Sequence, residues 1–330
     1  MTQTTHTTQT AQMAAVVTAD GTLTDTSVPV PDPRPRDVLV RVAAVSINPV
    51  DTKVRPGPSG RILGYDAAGT VIATGPAVSR FVAGDEVYYA GDITRPGSNA
   101  EFQAVDERIV GRKPGSLSFA DAAALPLTAI TAWETLFDHL RATPESTEDF
   151  LIVGAPGGVG SILTQLARTQ TKLRVIATAS RAESAEWVTA MGAHETVDRH
   201  DLAAQVKRLA PRGVDWLYTA YSGSQIPVFA EVIRPFGHVV AIDDEHDDVY
   251  PLKSKSITWH WEFMFARSMH QAEDMGAQGA LLDTVAGLVD KGVLRTTATR
   301  RIEGITAATL TEAHHLAESG GIIGKVVLSR

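Results

Sequence analysis

The sequence predicts an α/β protein in which a β-rich, barrel-like unit precedes a doubly wound parallel sheet. The first observation is that short apolar runs, separated by glycine and proline turns, fill the chain up to about residue 113. The second is a regular alternation of short apolar runs and helical periodicity over residues 150–242. The third is a strand, glycine turn and helix within residues 149–168. Together they predict two domains in a chain of 330 residues.

The β-rich unit is predicted at residues 13–127. Its strands are predicted from Val- and Ala-rich runs at Met13–Val17, Val38–Val45, Gly69–Ala73, Glu86–Ala90 and Glu101–Val105. The connection 28–35 is rich in proline, and it predicts extended chain at a sheet edge because proline does not fit inside a helix. Residues 1–12 are polar and rich in Thr and Gln, so we expect a disordered tail there.

The parallel sheet is predicted at residues 128–270, and two helices at Phe119–Leu125 and Ala129–Leu140 mark the change of character. The alternating strands and helices that follow are Phe150–Val153, Val159–Thr169, Arg174–Ala179, Ala182–Met191, Asp201–Leu209, Asp215–Tyr218, Ile226–Ile233 and His238–Ile242. Residues 271–330 are expected to return to the first domain, because the six-stranded sheet is complete by about residue 257. This segment is predicted as helix Leu281–Asp290, strand Val293–Thr299, helix Leu310–Glu318 and strand Lys325–Leu328.

A glycine-dense turn at residues 154–160, which read G-A-P-G-G-V-G, joins a buried strand to an amphipathic helix. A pyrophosphate needs the unpaired backbone N–H groups of a helix N-terminus, and side chains in the turn would prevent its approach. Aligned as A-x-G-x-x-G, with an alanine in place of the usual first glycine, the turn predicts a dinucleotide site. The residues of this predicted site are Ala155, Gly157, Gly158, Val159 and Gly160.

The end of the next strand indicates which dinucleotide binds. Ser180 and Arg181 stand where enzymes that prefer NAD usually carry Asp or Glu for the ribose 2′-hydroxyl. A hydroxyl and a guanidinium suit a 2′-phosphate, so NADPH is predicted over NADH. Arg199, which follows the strand 195–197, is a further candidate for that phosphate. Glu183 is the nearby acid that could bind a ribose instead, and the arginines could also be solvated surface charges.

Composition excludes several classes of protein and site. The net charge of −8 disfavours a general binder of nucleic acid or of anionic membranes. The chain has no cysteine, which excludes disulfides, thiolate metal sites and a cysteine nucleophile. No apolar run approaches the roughly 18–20 residues of a membrane span. The N-terminal residues lack the features of a signal or transit peptide, so we expect a cytoplasmic protein.

Several motifs over residues 14–330 carry a family resemblance. They read G-Y-D-A-A-G at 64–69, F-V-A-G-D-E-V at 81–87, S-N-A-E-F at 98–102 and G-K-V-V-L at 324–328. These resemble the G-H-E-x-x-G, F-x-x-G-D-x-V, G-x-x-A-E-Y and G-K-x-V-L segments of the medium-chain dehydrogenase/reductase superfamily. The resemblance implies a GroES-like catalytic domain followed by a Rossmann domain.

Other segments narrow the resemblance within that superfamily. The N-P-V-D run at 48–51 and the glycine turn resemble the quinone oxidoreductase branch. The stretches 91–101 and 259–264 resemble a bacterial group labelled zinc-type alcohol dehydrogenase-like. The label implies a zinc site, which the residues do not support.

In the zinc alcohol dehydrogenases, Cys, His and Cys hold a catalytic ion and a Glu lies close by. The aligned positions here are Asn48, Tyr65 and Leu127, with Asp66 at the place of the Glu. Asn and Tyr are poor zinc ligands and Leu is none, so we expect no catalytic zinc. Without this Lewis acid, simple alcohol oxidation is disfavoured.

Reduction of a quinone or an α,β-unsaturated carbonyl remains feasible, because hydride adds to a carbon that is already electrophilic. The oxygen on which charge builds needs hydrogen-bond donors. The candidates are the amide of Asn48 and the phenol of Tyr65, oriented by Asp51 and Asp66. Structural roles stay open for these residues: Asn48 as a turn cap, Tyr65 as a pocket wall, and Asp66 as a partner of buried backbone.

The resemblance also implies further cofactor contacts. Thr131 aligns with a position that packs on the nicotinamide, although a helical threonine can instead bond the preceding turn. Asp243 follows a strand at the carboxyl edge of the sheet and is expected at the nicotinamide ribose, unless its acidic loop is simply solvated. Lys325, in the closing strand, is counted among the cofactor-binding residues.

The predicted substrate pocket contains Trp133, Phe263 and Met264 beside Tyr65. A core position for Trp133 and an interface position for Phe263 and Met264 remain alternatives. The strand 256–259 lies where the superfamily pairs sheets between subunits, so the resemblance implies a homodimer.

Three functional hypotheses follow from the sequence. The first is a zinc-independent, NADPH-dependent reductase of quinones or α,β-unsaturated carbonyl compounds, whose partner is a small-molecule acceptor. The second is a zinc alcohol dehydrogenase with unusual ligands, which would require stoichiometric zinc. The third is a non-catalytic NADPH-binding module, which would bind the cofactor tightly and turn over no acceptor.

Overall fold

The computed structural model describes residues 11–246 and 248–330 of the chain. Most of the predicted tail, residues 1–10, lies outside the described residues, whereas Gln12 already begins the first strand. Strands β1 (Gln12–Ala19) and β2 (Thr22–Pro29) form an antiparallel hairpin. Asp20 and Gly21 connect them with φ angles of 49° and 79°, the positive pair that a tight hairpin turn requires. Strand β2 was not predicted from the sequence, although the Asp20-Gly21 pair is typical of a hairpin turn that leads into such a strand.

The β-rich unit forms a seven-stranded sheet within the described residues. Its strands are β3 (Asp37–Ser46), β4 (Ala67–Thr74), β5 (Glu86–Tyr89), β6 (Phe102–Asp106) and β7 (Val110–Arg112), with β14 (Ala298–Glu303) and β15 (Lys325–Ser329) from the end of the chain. The order is β14-β15-β3-β4-β5-β7, and β6 pairs with β3. The C-terminal segment therefore lies directly against β3, as expected for a returning segment.

The second sheet is parallel and has six strands in the part of the chain described here. They are β8 (Asp149–Val153), β9 (Arg174–Thr178), β10 (Glu195–Val197), β11 (Val214–Thr219), β12 (Ile233–Ala241) and β13 (Thr258–Trp261). In the order β10-β9-β8-β11-β12-β13, the strands after β8 are first added on one side of it, as β9 and β10, and then on the other side, from β11 to β13. The strand order therefore switches between β8 and β11. A crevice opens at the carboxyl ends of the strands at such a switch, and ligands bind there.

Ten α-helices occur among the described residues. They are α1 (Pro49–Val54), α2 (Phe119–Ala123), α3 (Pro126–Trp133), α4 (Gly158–Gln170), α5 (Ala182–Met191), α6 (Leu202–Leu209), α7 (Ile226–Val232), α8 (Ala266–Met269), α9 (Gly276–Asp290) and α10 (Ala307–Glu318). Residues 134–139, predicted as plain helix, form a π-helical segment after α3. None of these helices combines the length and the apolar character needed to cross a membrane.

One secondary-structure prediction was wrong, and one helix was missed. The strand expected at 293–299 lies at Ala298–Glu303, because Val293 and Leu294 fold back on the end of α9 through backbone bonds to Leu288. Helix α1 was missed: it has six residues, too few for a periodic pattern, and starts at Pro49, where proline is well tolerated.

The order of the strands brings distant residues to one place. In the registers, Val45 opposes Ala67 and Val327 opposes Ser46. The end of β3, the start of β4 and the start of β15 therefore meet at one edge of the sheet. The backbone of Gly324 also donates to the carbonyl of Pro156 at 2.8 Å, which attaches this edge to the glycine turn of the second domain.

We predict that Gly160→Ala destabilises the protein by about 1–3 kcal/mol, because the new methyl group overpacks the strand–helix junction. A Cβ at Gly160 would lie 2.5 Å from the Cα of Ala155 and 2.6 Å from the carbonyl oxygen of Gly154. Urea unfolding of the wild type and of Gly160→Ala measures the change in unfolding free energy.

The matched control is Gly287→Ala in α9, where a Cβ would meet no atom within 4 Å. That substitution should stabilise by about 0.5–1 kcal/mol, since alanine favours the helix interior. Equal unfolding midpoints for the two variants would contradict the packing assigned to Gly160.

Candidate active site

A buried carboxylate lies at the edge where β3, β4 and β15 meet. Asp66 is fully buried, and its Oδ2 accepts hydrogen bonds from the hydroxyl of Ser46 at 2.8 Å and from the amide of Asn48 at 2.8 Å. Its Oδ1 accepts the backbone N–H of Leu127 at 2.7 Å, at the start of α3. Asp66 therefore links two strands of the first domain to the helix that leads into the second.

The side chain of Lys325 completes this cluster. Its Nζ donates to the carbonyl of Ile47 at 2.6 Å, to Oδ1 of Asn48 at 2.5 Å and to Oδ2 of Asp66 at 3.1 Å. These three bonds use all three ammonium hydrogens. Lys325 was predicted to bind the cofactor; in this structure protein oxygen atoms use all three of its ammonium hydrogens. Only its stem lies near Gly158, where an added Cβ would approach it to 2.7 Å.

Asp66 and Lys325 form a buried ion pair. Burial raises the pKa of Asp66 and lowers the pKa of Lys325, while the charge of each opposes the shift of the other. Asp66 accepts four hydrogen bonds and donates none, and Lys325 donates three. This arrangement suits a carboxylate and an ammonium, because a protonated carboxyl would have to donate.

The residues of this cluster do not fit a catalytic zinc. Leu127 offers no ligand side chain, and the Asn48 side chain is bonded to Asp66 and Lys325. A buried ammonium 3.1 Å from Asp66 already holds the positive charge that a dication would bring. Within residues 11–246 and 248–330, no group of three or more His, Cys, Asp or Glu side chains is arranged to hold a metal ion. Neutral side chains stand at the three positions that align with the expected ligands.

The amide of Asn48, proposed as a donor to substrate, is already engaged. Its Nδ2 donates to Asp66 at 2.8 Å and weakly to the carbonyl of Tyr65 at 3.5 Å. Asp51 accepts the backbone N–H of Asn48 at 2.8 Å and that of Gly64 at 3.1 Å. Burial raises the pKa of Asp51 to about 7. Both residues thus hold the backbone around Tyr65 in position in this structure, and the amide of Asn48 is not free to donate to a substrate.

Tyr65 is fully buried, and its hydroxyl accepts a hydrogen bond from Nη2 of Arg61 at 3.4 Å. The same nitrogen donates to the carbonyl of Ile93 at 3.3 Å. Burial raises the pKa of Tyr65 to about 12, so the phenol keeps its proton at neutral pH. Arg61 has no carboxylate partner among the described residues. The sequence reasoning missed Arg61, which lies in a loop whose conformation it could not derive.

An aromatic group lines the other side of Tyr65. Phe265 packs edge-on against it with ring centroids 5.3 Å apart, and Phe263 packs on Phe265 at 5.5 Å. Phe263 is about half exposed, whereas Met264 is buried. The ring of Trp133 packs against that of Phe137, with centroids 4.5 Å apart. Phe265, which the sequence analysis did not single out, is thus an aromatic residue of this segment whose ring packs on Tyr65.

The glycine turn has the geometry of an anion site. Gly157 precedes α4, and the first intrahelical bond runs from Ser161 N–H to Gly157 O at 2.9 Å. The N–H groups of Gly158, Val159 and Gly160 precede that bond, so the helix leaves them without partners. A Cβ at Gly157 would meet no atom closer than 3.4 Å, so its missing side chain leaves room for a ligand. The buried Ala155 packs beneath Gly160.

An acid that the sequence reasoning overlooked lies beside Ser180. The hydroxyl of Ser180 donates to Oδ1 of Asp198 at 2.6 Å, and the backbone N–H of Arg199 donates to Ser180 at 3.3 Å. The hydrogen bond from Ser180 is the main cause that lowers the pKa of Asp198. Glu183 is therefore not the only nearby acid. The guanidinium of Arg181 donates to the carbonyl of Gly321 at 2.8 Å.

Thr131 and Asp243 complete the predicted cofactor residues. Thr131 is buried on α3, and its hydroxyl has no hydrogen bond among the described residues; Thr128, one turn earlier, bonds back to Leu125 at 3.0 Å. Asp243 follows β12, and its carboxylate accepts both the backbone N–H and the hydroxyl of Ser222. Asp243 therefore ties the loops after β11 and β12 together at the carboxyl edge of the sheet.

Two protein families match this chain. The alcohol dehydrogenase GroES-like domain matches residues 34–131, and the zinc-binding dehydrogenase domain matches residues 158–276. Both are parts of the expected two-domain architecture, and they confirm the predicted fold class.

Individual relatives agree with this result. A zinc-type alcohol dehydrogenase-like protein of Staphylococcus aureus is 41% identical over 310 residues, covering 91% of this chain and 92% of that protein. A chloroplastic NADPH-dependent alkenal/one oxidoreductase of Arabidopsis thaliana is 34% identical over 189 residues, covering 53% of this chain and 48% of that protein. A crystal structure from Rhizobium etli CFN 42, assigned to the zinc-dependent alcohol dehydrogenases, superposes with a TM-score of 0.94 at 47% identity, covering 98% and 99% of the two chains.

We predict that Lys325→Met destabilises the protein by about 3–5 kcal/mol, because Asp66 is left as an unpaired buried charge. The double variant with Asp66→Asn should lose about 1–3 kcal/mol less than the sum of the single variants, since the pair is then removed together. Urea unfolding of the four proteins measures this coupling.

The control is Lys53→Met, which breaks the exposed ion pair between Lys53 and Asp244 and should lose about 1 kcal/mol or less. Strictly additive effects at residues 66 and 325 would show that the two side chains do not interact.

Proposed function

This chain belongs to the medium-chain dehydrogenase/reductase superfamily, and within it we propose that the protein is a zinc-independent reductase of quinones or α,β-unsaturated carbonyl compounds with NADPH as hydride donor. The observation that carries this proposal is the ammonium of Lys325, bonded to Asn48 at 2.5 Å and to Asp66 at 3.1 Å. It places a fixed positive charge next to Asn48 and Asp66, which align with residues of the zinc site in the zinc enzymes of the superfamily. The side chain that is left as a candidate donor to substrate is the phenol of Tyr65.

The reaction class agrees with what the residues can do. A conjugated carbonyl is already electrophilic and needs no Lewis acid, only a donor at the oxygen on which charge develops. The Arabidopsis relative is named as an NADPH-dependent alkenal/one oxidoreductase, and its match covers about half of this chain. The name of the Staphylococcus relative refers to zinc-type alcohol dehydrogenases. The ligand positions of this chain favour the first activity.

Each residue has a role in the proposed mechanism. When bound, NADPH supplies the hydride. The free N–H groups of Gly158, Val159 and Gly160 would hold its pyrophosphate. Tyr65 donates a hydrogen bond to the carbonyl oxygen of the acceptor, and solvent provides the proton that completes the reduction. Arg61, by donating to the oxygen of Tyr65, makes the phenol a stronger donor.

Access to Tyr65 requires a movement in this proposal, because the side chain is fully buried. The bond from Arg61 to the carbonyl of Ile93 joins the two loops on either side of Tyr65. An acceptor would displace Arg61 from Ile93 and then occupy the space between Arg61 and Phe265. A dry, aromatic wall on one side and a guanidinium on the other suit a flat conjugated carbonyl.

The experiment compares NADPH and NADH oxidation with 1,4-benzoquinone, 9,10-phenanthrenequinone and a 2-alkenal, with and without EDTA. We expect turnover that prefers NADPH and is insensitive to EDTA. Loss of activity in EDTA that returns on adding zinc would favour a zinc alcohol dehydrogenase. Tight NADPH binding without turnover of any acceptor would favour a non-catalytic binding module.

We predict that Tyr65→Phe lowers kcat/KM for these acceptors by on the order of 100-fold, because it removes the donor to the developing oxyanion. Binding of NADPH, followed by its fluorescence, should stay unchanged. The matched control is Tyr89→Phe, since the buried hydroxyl of Tyr89 has no hydrogen bond among the described residues. Full activity of Tyr65→Phe would show that Tyr65 only lines the pocket and donates no hydrogen bond that the reaction needs.

We further propose that NADPH is preferred because Arg181 and Arg199 flank Ser180, with Asp198 as the opposing charge. Arg199→Ala should raise KM for NADPH about tenfold and leave KM for NADH unchanged, since one charge-assisted bond to a phosphate is lost. Asp198→Asn should shift the preference further toward NADPH, because it removes an anion from the site.

The control for these cofactor variants is Arg208→Ala, which removes the same charge from an exposed position at the far end of α6. Steady-state kinetics give KM for NADPH and for NADH in each variant, and these values show which cofactor the site prefers. If Asp198→Asn abolishes the use of NADH while Arg199→Ala has no effect on NADPH, the site is built for NADH.

Two further expectations remain proposals. We propose a homodimer in which β13, the outer strand of the parallel sheet, pairs with its counterpart in a second copy. Trp261 on this strand is 53% exposed, which is unusual for so large an apolar side chain. We also propose a cytoplasmic location, which the absence of cysteine fits.

A further inference from the structure

A second cluster of ionisable side chains lies behind the aromatic wall of the active site. The π-helical segment 134–139 carries Glu134 at its start and His139 at its end, and both face Glu262 at the end of β13. His139 Nε2 lies 2.8 Å from Oε2 of Glu262. Glu134 and Glu262 are both buried, with exposed fractions of 5% and 6%. Irregular helical turns of this kind occur frequently at functional sites.

The two carboxyl groups are arranged to share one proton. Oε1 of Glu262 is buried and has no hydrogen-bond donor among the described residues, although Oε2 is bonded to His139. Glu134, which contacts Arg267 and Gln278 in the same buried cluster, interacts with Glu262 through its side chain. Two ionised carboxylates cannot bond to each other, so a proton on one of them supplies the missing donor. Buried carboxyl pairs of this kind hold one proton between them because the low polarity opposes two adjacent charges.

Three contacts connect Glu134 to the segment 262–267, which carries the aromatic wall. Glu262 itself begins the segment. Gln278 Nε2 donates to the carbonyl of Met264 at 2.5 Å and lies 3.5 Å from Oε1 of Glu134. Arg267, at the far end, forms an ion pair with Glu134. The segment is therefore anchored at its start, middle and end to one carboxyl group, and Phe265 between the anchors touches Tyr65.

We propose that Glu134 and Glu262 are positioning residues that share one proton and thereby hold the segment 262–267 where Phe265 packs against Tyr65. Only the expected change in acceptor binding beside Tyr65 rests on the proposed function; the shared proton does not. Neither residue touches the acceptor. Losing the shared proton places two like charges against each other, which pushes Glu262 away from Glu134 and loosens the wall of the pocket.

Other charged and titratable groups face the pair from every packed element. On the π-helical side these are Asp138 and His139, and on the α8 side Arg267, which also binds Asp138 and Asp274 at 2.9 Å each. The ring of His139 lies 5.3 Å from that of His260 on β13, and His260 Nε2 lies 3.2 Å from Nδ1 of His238 on β12. At longer range, Tyr218 of β11 interacts with Glu262, and Arg141 interacts with His139. Burial lowers the pKa of all three histidines, and that of His260 to about 4, so they are neutral near pH 7.

The sign of the pH effect follows from the carboxyl groups. Burial, and after it the charge of Glu262, raises the pKa of Glu134, and burial raises the pKa of Glu262. Because the pair holds its shared proton well above the ordinary carboxyl value near 4.5, the contribution of that proton to stability is complete at acidic pH and is lost as the pH rises through the raised pKa of the pair, on the alkaline side. The pocket wall should therefore loosen on the alkaline side.

The test uses Glu262→Gln, because the amide can accept from His139 and donate to Glu134 at every pH. In the wild type, KM for the acceptor should rise about 3- to 10-fold between pH 7 and pH 9.5, with a smaller change in kcat, as misplacement of a pocket wall implies. Glu262→Gln should keep the neutral-pH KM and remove this rise. The control Glu231→Gln, in an exposed ion pair with Lys207, should follow the wild type.

Two measurements do not depend on turnover. Infrared spectra of the wild type at pH 7 should show the C=O stretch of buried protonated carboxylic acid, and this band should be weaker in Glu262→Gln, where only other groups such as Asp51 contribute to it. The unfolding free energy of the wild type should fall more steeply from pH 7 to about pH 9 than that of Glu262→Gln. An infrared band of equal intensity in the two proteins, or an equal rise of KM in the two proteins, would overturn the proposal. If no acceptor is reduced at any pH, the proposed function fails, while the infrared and unfolding data still decide the carboxyl pair.

Discussion

The interaction between Asp66 and Lys325 is the constraint on which the active site depends. One buried ion pair joins the start of β4, the loop after β3 and the first residue of β15, and Asp66 also receives the first turn of α3. Breaking a buried pair on one side leaves an uncompensated charge, so the four segments hold each other in one arrangement. The same pair places a fixed positive charge next to Asn48, one of the three positions that align with the zinc ligands of the superfamily.

The chemistry of the proposed site follows from this arrangement. With Asn48 and Asp51 engaged in holding the backbone, Tyr65 remains as the hydrogen-bond donor, between Arg61 and Phe265. Phe265 in turn depends on a second buried polar group, the pair Glu134 and Glu262. The site is thus supported from two sides by carboxyl groups in opposite states: Asp66 is ionised by a lysine, whereas the glutamates share a proton. Burial is common to both, and the available partner decides the outcome.

Local patterns predicted much of the fold. The glycine turn, the alternation of strands and helices and the returning segment follow from periodicity and turn residues, because these are properties of neighbouring residues. Elements with weak local signals were missed or misplaced: the six-residue α1, the polar strand β2 and the edge strand β14. In the site, Tyr65 and Asp66 were identified through the motif that contains them, whereas Arg61 and Phe265 lie outside any motif.

The sequence alone therefore determined the two-domain architecture, the dinucleotide turn and the absence of zinc-ligand residue types at the expected positions. The tertiary structure alone decided what those residues touch. Lys325 reaches Asp66 across 259 positions of the chain, and Asp198 meets Ser180 across 18. Such contacts depend on strand register and on how the domains pack, which local periodicity does not encode. A sequence motif shows which type of side chain is present at a position, whereas only the fold shows which side chain from elsewhere in the chain it bonds to.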